Sequence, residues 1–536
     1  MKRKLAVLLF LLISVYVWSD RTSDARQLQR FWEARGKIIG MYVDTVNEDK
    51  MTENAIIGML ENLDPHSVYI NKDEKAKANE PLVGNFEGIG VQFIMLKDTL
   101  HVEAVIPGGP SERVGLLAGD RIVMVDDSII AGVKMSSVDV MKRLRGKKGT
   151  AVTVRVKRSG QRELLTFRIV RDKIPLYSVA ASFMVSPTVG YIKLVRFSET
   201  TYEEFKQAMR KLQREGMTDL VFDLESNGGG YLNQAIDIAD DFIDENTNVL
   251  ITKGRHISKT YSASHGGLFT KGRIVFLVDG STASAAEILA GSMQDLDRAV
   301  IVGRRTFGKG LVQQPIPLSD GAEMRLTVAR YYIPSGRCIQ RPYKEGLQKY
   351  KQDAIDRYNR GELTSADSIH FPDSLKYKTL KMGRIVYGGG GIMPDYYVPI
   401  DTSETSIYLS KLIGGGILQS YSAQIVDKNE KIWKSKYPLV SDFLRDFVIP
   451  DDILKGLVEA GEQEELKYDE YSFLRSRRLI ENNLKSLFAR RLYGEEGFYR
   501  VHNEYSEIYQ KAIELLATSG AYEQIFQKGI ETKNSK

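Results

Sequence analysis

The chain has 536 residues, a formal net charge of +6, 43% hydrophobic residues and one cysteine. The length predicts about three or four domains, and the hydrophobic fraction is sufficient for well-packed cores. The single cysteine, Cys338, excludes an intramolecular disulfide and argues against a cysteine-based metal cluster. So small a charge excess argues against a dedicated nucleic-acid-binding protein, and no nucleic-acid partner is expected.

The N-terminus has the pattern of an export signal. MKRK precedes the apolar run LAVLLFLLISVYVW, which is long for the core of a signal peptide and short for a spanning helix. No clear A-x-A cleavage site follows. Residues 1–20 are therefore predicted to be an export signal that is either cleaved or retained as an anchor in the inner membrane. The expected location is the periplasm or cell envelope, and a buried core helix is the alternative.

Residues 21–83 are predicted to be helical, because RQLQRFWEARGKIIGMYVD and TENAIIGMLENLD place apolar residues at roughly helical spacing. Residues 84–173 have strand-like rather than helical patterns. Segments such as RIVMVDD and AVTVRVKR are rich in β-branched residues and typical of short strands, and GGPSERVGLLAGD indicates turns around a short helix. The sequence therefore predicts an inserted β-rich domain of about ninety residues.

Residues 174–402 alternate between strand and helix patterns, which predicts an α/β core with a mostly parallel sheet. Residues 403–536 are polar and helical in pattern and contain no motif that we can place. The expected architecture is thus an α/β core with an inserted β-rich domain and helical regions at both termini.

Two strand ends in the core carry candidate chemistry. In VDGSTASAAEILAG, Ser284 lies where a strand gives way to a helix, and the carboxyl ends of parallel strands are where α/β proteins place their sites. Capping of the helix is the alternative role for this serine. In VFDLESNGGG, a strand leads into three glycines whose backbone amides could bind an oxyanion; an ordinary turn is the alternative.

A third strand end carries Lys309 in GRRTFGKG. This segment matches the phosphate-binding pattern G-x-x-x-x-G-K-[ST] except at Gly310, and the prolines that follow disfavour the helix such a loop requires. Lys309 could instead act as a base for a serine. That role needs a neutral amine, so burial would have to lower the lysine pKa by about two to three units.

Together these motifs resemble the C-terminal processing (tail-specific) proteases, which are Ser/Lys peptidases with a PDZ domain. STASAAEILAG resembles the nucleophile motif of that family, TFGKGLVQ the lysine motif, and DLESNGGG the D-L-R-x-N-x-G-G loop. The segment before the PDZ domain is resembled by LDPHSVYI, and the PDZ domain itself by GIGVQF with GGPSERVGLLAGDRI. The segment that closes the core is resembled by GGIMPDYYVP. The matches run from about residue 30 to about residue 400 in the expected order.

The resemblance implies a serine endopeptidase that acts through an acyl-enzyme and needs no metal or other cofactor. Ser284 would be the nucleophile, Lys309 the general base and Gln313 the residue that orients the lysine. A strand through these positions would place Lys309 and Gln313 on one face. The oxyanion hole is expected to consist of the backbone amides of Gly229, Gly230 and Ala285.

The PDZ-like unit is expected to bind protein or peptide substrates by their free C-termini. An extended peptide would add to a sheet edge, with its carboxylate on the amides of Gly88, Ile89 and Gly90. The resemblance also implies that the terminal helices could supply contacts for a homo-oligomer.

Two features are left open by the resemblance. Glu225 occupies a position where the family usually has arginine, so the role of that arginine cannot be transferred. His66, in LDPHS, invites a Ser/His/Asp interpretation with Asp64, but it precedes the β-rich unit and Lys309 already supplies a base. The alternative function is a non-catalytic PDZ scaffold that binds peptides.

Overall fold

The computed structural model describes residues 24–96, 98–158, 160–264 and 267–527. The predicted export signal, residues 1–20, lies outside the described residues. Within the described part of the chain, we find no helix that combines the length and apolar character needed to cross a membrane.

The N-terminal region is helical, as expected, but it also contributes a strand to the core. Its elements are helix α1 (24–41), α2 (Glu48–Glu61), strand β1 (Val68–Ile70) and α3 (Lys72–Val83). β1 pairs antiparallel with a strand more than 250 residues later, Val68 lying opposite Arg325. This pairing fixes the segment between α2 and β1, residues 62–67, against the core.

A β-rich unit follows. Its elements are β2 (Asn85–Gly88), β3 (Val91–Leu96), β4 (Thr99–Val105), α4 (Pro110–Arg113), β5 (Arg121–Val125), β6 (Ser128–Ile129), α5 (Ser137–Leu144), β7 (Ala151–Lys157), β8 (Leu165–Val170) and β9 (Asp172–Pro175). The main sheet has the order β3-β4-β5-β7-β8, with β6 beside β5, and β2 and β9 form an antiparallel ribbon that joins the unit to the core. Alternating strand residues such as Val152, Val154 and Val156 point into a separate hydrophobic core.

The α/β core contains two large sheets and a two-stranded antiparallel ribbon. Its elements are β10 (Val179–Met184), β11 (Val189–Leu194), α6 (Thr201–Arg214), β12 (Asp219–Asp223), α7 (Leu232–Asp240), β13 (Asn248–Lys253), β14 (Ser258–Ser262), β15 (Ile274–Val278), α8 (Ala285–Asp295), β16 (Val300–Gly303), β17 (Leu311–Pro317), β18 (Glu323–Tyr332), α9 (Leu347–Asn359), β19 (Lys376–Lys378), β20 (Ile385–Tyr387) and β21 (Tyr396–Tyr397). The central sheet runs β10-β11-β12-β15-β16-β21, and only its first pairing is antiparallel. The second sheet, β1-β18-β13-β14 with β17 beside β18, is antiparallel. The core is therefore mixed, and the expectation of a mostly parallel sheet describes its central sheet alone.

The C-terminal extension covers the second face of the central sheet. α6, α7 and α8 pack on one face. The helices α15 (Glu507–Ala517) and α16 (Ala521–Gln527) pack on the other, where Ala512 and Leu516 share a core with Val221 and Val275. Strands of a parallel sheet are apolar on both sides and need two covers. The last helices are thus part of the protease core rather than an independent appendage.

The rest of the extension has a core of its own. It comprises α10 (Ile407–Gly414), α11 (Ile417–Lys436), α12 (Val440–Asp446), α13 (Asp451–Gln463) and α14 (Glu470–His502), which is interrupted by a kink at Gly494. Trp433 packs on Phe447 and Phe488 with ring centroids 5.0 and 5.1 Å apart. Aromatic burial of this kind supplies much of the stability of a helical unit.

Candidate active site

Ser284 lies on a strained turn between β15 and α8. Its φ of 58° and ψ of −118° are unusual for a residue with a side chain, and such a conformation costs about 1–3 kcal/mol. The Asp279 carboxylate holds the turn by accepting the amides of Ser281 and Thr282, each at 2.9 Å. Helix α8 is buried along its whole length, so the turn is fixed on a rigid element.

The glycine loop packs directly against this turn. A Cβ at Gly229 would lie 2.8 Å from Ser284 Cβ and 2.9 Å from the Ala285 amide nitrogen, so no side chain fits there. Asn227 is fully buried and connects the glycine loop to the serine turn. Its side-chain amide donates to the Leu194 carbonyl, and its backbone carbonyl accepts the Ala283 amide at 2.9 Å. Sequence reasoning did not single out Asn227.

The predicted oxyanion amides differ in their bonding. The Gly229 amide donates to Asn227 Oδ1 at 2.9 Å. The amides of Gly230 and Ala285 have no hydrogen-bond partner among the described residues. These two donors are therefore available to a ligand in this arrangement.

Lys309 lies just before β17, on a loop that encloses it. A Cβ at Gly308 would be 2.9 Å from the Gly391 amide nitrogen, and one at Gly310 would be 2.8 Å from the Gln340 amide nitrogen, so both glycines permit close packing. Burial lowers the pKa of Lys309 below its ordinary 10.5, and the Glu287 carboxylate opposes that shift. No hydrogen bond joins the Lys309 ammonium to another described residue.

Glu287 connects the serine turn to the lysine loop. Its side chain is fully buried. Oε2 accepts the amides of Ser284 and Lys309, both at 2.9 Å, while Oε1 accepts the Gly308 amide at 2.7 Å and the Thr306 hydroxyl. Sequence reasoning missed this residue, although a glutamate three positions after the serine that begins a helix is the spacing of a capping box.

Lys309 and Gln313 are not placed on one face by a shared strand. β17 begins only at Leu311, and its register with β18 shifts between Val312 and Gln313, so the premise that one strand places both side chains on a face is wrong. Gln313 Nε2 instead donates to Thr327 Oγ1 at 3.3 Å, and this hydroxyl donates to Asp64 Oδ1 at 3.0 Å.

The DPHS segment therefore packs beside the lysine loop, despite its distance in sequence. His66 Nε2 lies 2.9 Å from the Tyr350 hydroxyl. Burial lowers the pKa of His66 to about 4, and the charge of Lys309 contributes to the same shift. The imidazole is thus neutral near pH 7. The pairing of β1 with β18 is what brings this segment to the site.

One cavity of about 950 Å³ gathers the predicted catalytic groups. Its walls include Ser284, Ala285, Lys309, Gln313 and the glycines 228–230. A hydroxyl, an enclosed amine and unpaired backbone donors therefore face one space large enough for a peptide segment. That combination can support acyl transfer.

The predicted carboxylate loop precedes β3. Gly88 ends β2, the Ile89 side chain is buried, and Gly90 has a φ of 77°. The carbonyl of Ile89 accepts the Ser111 hydroxyl and that of Gly90 accepts the Ile106 amide. The amides of Ile89 and Gly90 have no partner within the described ranges.

Glu225 faces the opposite side of its loop, toward the C-terminal extension. Its amide donates to Asp223 Oδ1 and its carbonyl accepts Lys193 Nζ, each at 2.8 Å. Its side chain lines a cavity of about 240 Å³ with Tyr499 and His502. Burial raises the pKa of the Glu225 carboxyl to about 8, and the nearby Asp223 carboxylate adds to the shift.

This raised pKa predicts a pH-dependent stability. The folded protein keeps the Glu225 proton between the ordinary pKa of 4.5 and about 8, whereas the unfolded chain has lost it. The free energy of unfolding therefore falls as pH rises through that window. We expect Glu225→Gln to raise the unfolding temperature above about pH 8 and to leave it unchanged near about pH 4. The measurement is thermal unfolding across pH, with the exposed Glu245→Gln as the control. Equal unfolding temperatures of the two variants at every pH would contradict this prediction.

Comparisons with known proteins show which families this chain resembles. Residues 188–348 match peptidase family S41, residues 88–169 a PDZ domain, residues 17–74 the N-terminal domain of the activating protease CtpB, and residues 408–494 a family of unknown function. The chain is 30% identical over 430 residues to the carboxy-terminal processing protease CtpB of Bacillus subtilis, covering 78% of this chain and 87% of that protein. It is 35% identical over 328 residues to the carboxy-terminal-processing protease of Bartonella bacilliformis, covering 60% and 74%. Among solved structures, the photosystem II D1 C-terminal processing protease is similar at 30% identity, covering 58% of this chain and 83% of that one with a TM-score of 0.35.

Fold and sequence together define a serine-type peptidase with a PDZ domain. The chain belongs to the carboxy-terminal processing proteases of peptidase family S41. The resemblance, the enzyme class and the fold class of a protease core with a PDZ domain and helical terminal regions are thereby confirmed, whereas a mostly parallel sheet describes the central sheet alone. The domain limits, the roles of individual residues and the expected homo-oligomer stay predictions.

Proposed function

We propose that this protease binds the free C-termini of protein substrates through its PDZ domain and cuts them with Ser284 as nucleophile and Lys309 as general base. The supporting observation is the single cavity that holds both side chains beside the glycine loop. Residues 1–20 would export the enzyme to the periplasm or cell envelope. A serine nucleophile and a lysine base can carry out this reaction without a metal or other cofactor.

The chemistry follows from the groups in the cavity. Ser284 Oγ attacks the peptide carbonyl carbon while Lys309 Nζ accepts the hydroxyl proton. The carbonyl oxygen becomes an oxyanion, which the amides of Gly230 and Ala285 stabilise. A contribution from Gly229 requires its bond to Asn227 Oδ1 to break first.

Collapse of this intermediate breaks the C–N bond, and the Lys309 ammonium returns its proton to the leaving amine. A water molecule then attacks the Ser284 ester while Lys309 accepts its proton; the bond between the acyl carbon and Ser284 Oγ breaks, Lys309 returns the proton to Oγ, and the new carboxyl end is released. Gln313 would orient Lys309, and Thr327 and Asp64 would fix Gln313 in turn through the bonds described above.

The test is cleavage of an unstructured protein prepared with a free and with an amidated C-terminus. We expect the free form to be cut about tenfold faster or more, since its carboxylate can bind the amides of the 88–90 loop. Mass spectrometry of the products gives the cut site. Equal rates would remove the role proposed for the PDZ domain. Absence of cleavage of either form would favour a non-catalytic peptide-binding scaffold.

A further inference from the structure

Strand β3 of the PDZ domain has an open edge. Among the residues that the structure describes, it pairs with β4 alone, and it directly follows the 88–90 loop. A peptide that adds antiparallel to this edge would keep its carboxylate at the loop and run toward Leu96. At about 3.3 Å per residue, the residues about three to six positions before its terminus would lie beside Phe93–Leu96.

The C-terminal extension faces this same stretch across a cleft. A cavity of about 450 Å³ has residues 93–96 on one wall, and on the other the glycines 415–416 with the first turns of α11. A second cavity of about 380 Å³ shares Leu96 and Gln424 with the first and crosses the sheet from the end of β3 to Arg121 on β5 and Lys157 on β7. The first cavity therefore follows residues 93–96 of β3, and the second meets it at the end of that strand.

The two walls are held together by specific contacts. Arg491 of α14 donates to the carbonyls of Val102 and Glu103 at 3.2 and 2.5 Å, and it pairs with Asp427 at 2.9 Å. A Cβ at Gly119 would lie 2.9 Å from Asp427 Oδ1, so the extension packs closely on the PDZ domain. Such contacts fix the width of the cleft.

The far wall contains an unsatisfied acceptor. Gln419 Oε1 is buried and has no hydrogen-bond partner among the described residues. Buried polar atoms are nearly always paired in native proteins. The amide of an extended peptide, or a hydrogen-bonding side chain on it, would supply the missing donor. A Cβ at Gly416, whose φ is 68°, would meet no atom within 4 Å, so the start of α11 borders open space.

We infer that the C-terminal extension forms the second wall of the PDZ peptide groove and selects substrates by the residues about three to six positions before their C-terminus. The inference rests on the proposed binding of free C-termini. Its occupant is an extended, unstructured protein tail of about six residues or more, with small or neutral hydrogen-bonding side chains opposite Gln419.

The test uses the full chain in a Ser284→Ala background, so that bound peptides are not cut. The probes are positional-scanning libraries of about eight residues and matched peptides of the last three residues, each with free and amidated C-termini. Ser420→Trp fills the cleft and Gln419→Leu removes the acceptor. Ser435→Trp, at an exposed position of the same helix, is the matched control.

We expect Ser420→Trp to weaken the binding of the longer peptides by about tenfold or more and to change the affinity for the three-residue peptides by less than about twofold. Gln419→Leu should erase the preference at the inner positions alone. Unchanged selectivity in both variants, with free C-termini still preferred over amidated ones, would overturn the inference while leaving the proposed function standing. No preference for free C-termini in the unmodified groove would overturn both.

Discussion

Ser284→Ala and Lys309→Met are each expected to lower kcat/KM for a tailed substrate by about four orders of magnitude or more. The alanine removes the nucleophile, and the methionine keeps the length of the lysine side chain without its basic nitrogen. Because the two groups act as a unit, the double variant should be little worse than either single one. Rates are measured by digestion of an unstructured protein, with thermal unfolding to show that the fold is intact.

Matched controls separate the chemistry from general damage. Ser281→Ala alters an exposed serine on the same turn, and Lys271→Met an exposed lysine elsewhere in the core. Both should retain activity. Full activity in either Ser284→Ala or Lys309→Met would end the proposed mechanism.

The wild-type enzyme should also gain activity as pH rises through the pKa of Lys309. Since burial holds that pKa below 10.5, the rise is expected at lower pH than for an exposed lysine.

Glu287→Gln is expected to destabilise the protein by about 3 kcal/mol or more and to lower activity with it. Each carboxylate oxygen accepts two hydrogen bonds: Oε1 from Gly308 and Thr306, and Oε2 from Ser284 and Lys309. A glutamine amide presents only one oxygen, so its NH₂ group must face either the Gly308 amide or the amides of both Ser284 and Lys309, and each of these is a donor only. The near-isosteric change should therefore be almost as harmful as Glu287→Ala.

The measurement is denaturant unfolding together with the rate of cleavage. Glu215→Gln, at an exposed helix end, is the matched control and should change neither. Wild-type stability in Glu287→Gln would show that this carboxylate does not hold the serine turn to the lysine loop.

The parts of the site that depend on residues adjacent in the chain could be predicted from the sequence. Ser284 at a strand–helix junction, the glycines at 228–230 and the lysine flanked by glycines were each visible within a dozen residues, because the backbone conformations they require are set by neighbours in the chain. The order of helical, β-rich and α/β segments was likewise visible from hydrophobic periodicity.

What joins those parts was decided by tertiary structure. Sequence reasoning did not connect Glu287 to the lysine loop, nor DPHS to Gln313, since those contacts span from about twenty to about 260 residues.

It also missed that the last helices cover the central sheet and that the extension lines a cavity together with β3. Periodicity shows which face of a helix is apolar but not which surface will bury it. The amino-acid sequence by itself thus determined the chemical groups and the turns that present them. Only the packing of distant segments decided their burial, and burial sets the pKa of the lysine on which the proposed chemistry depends.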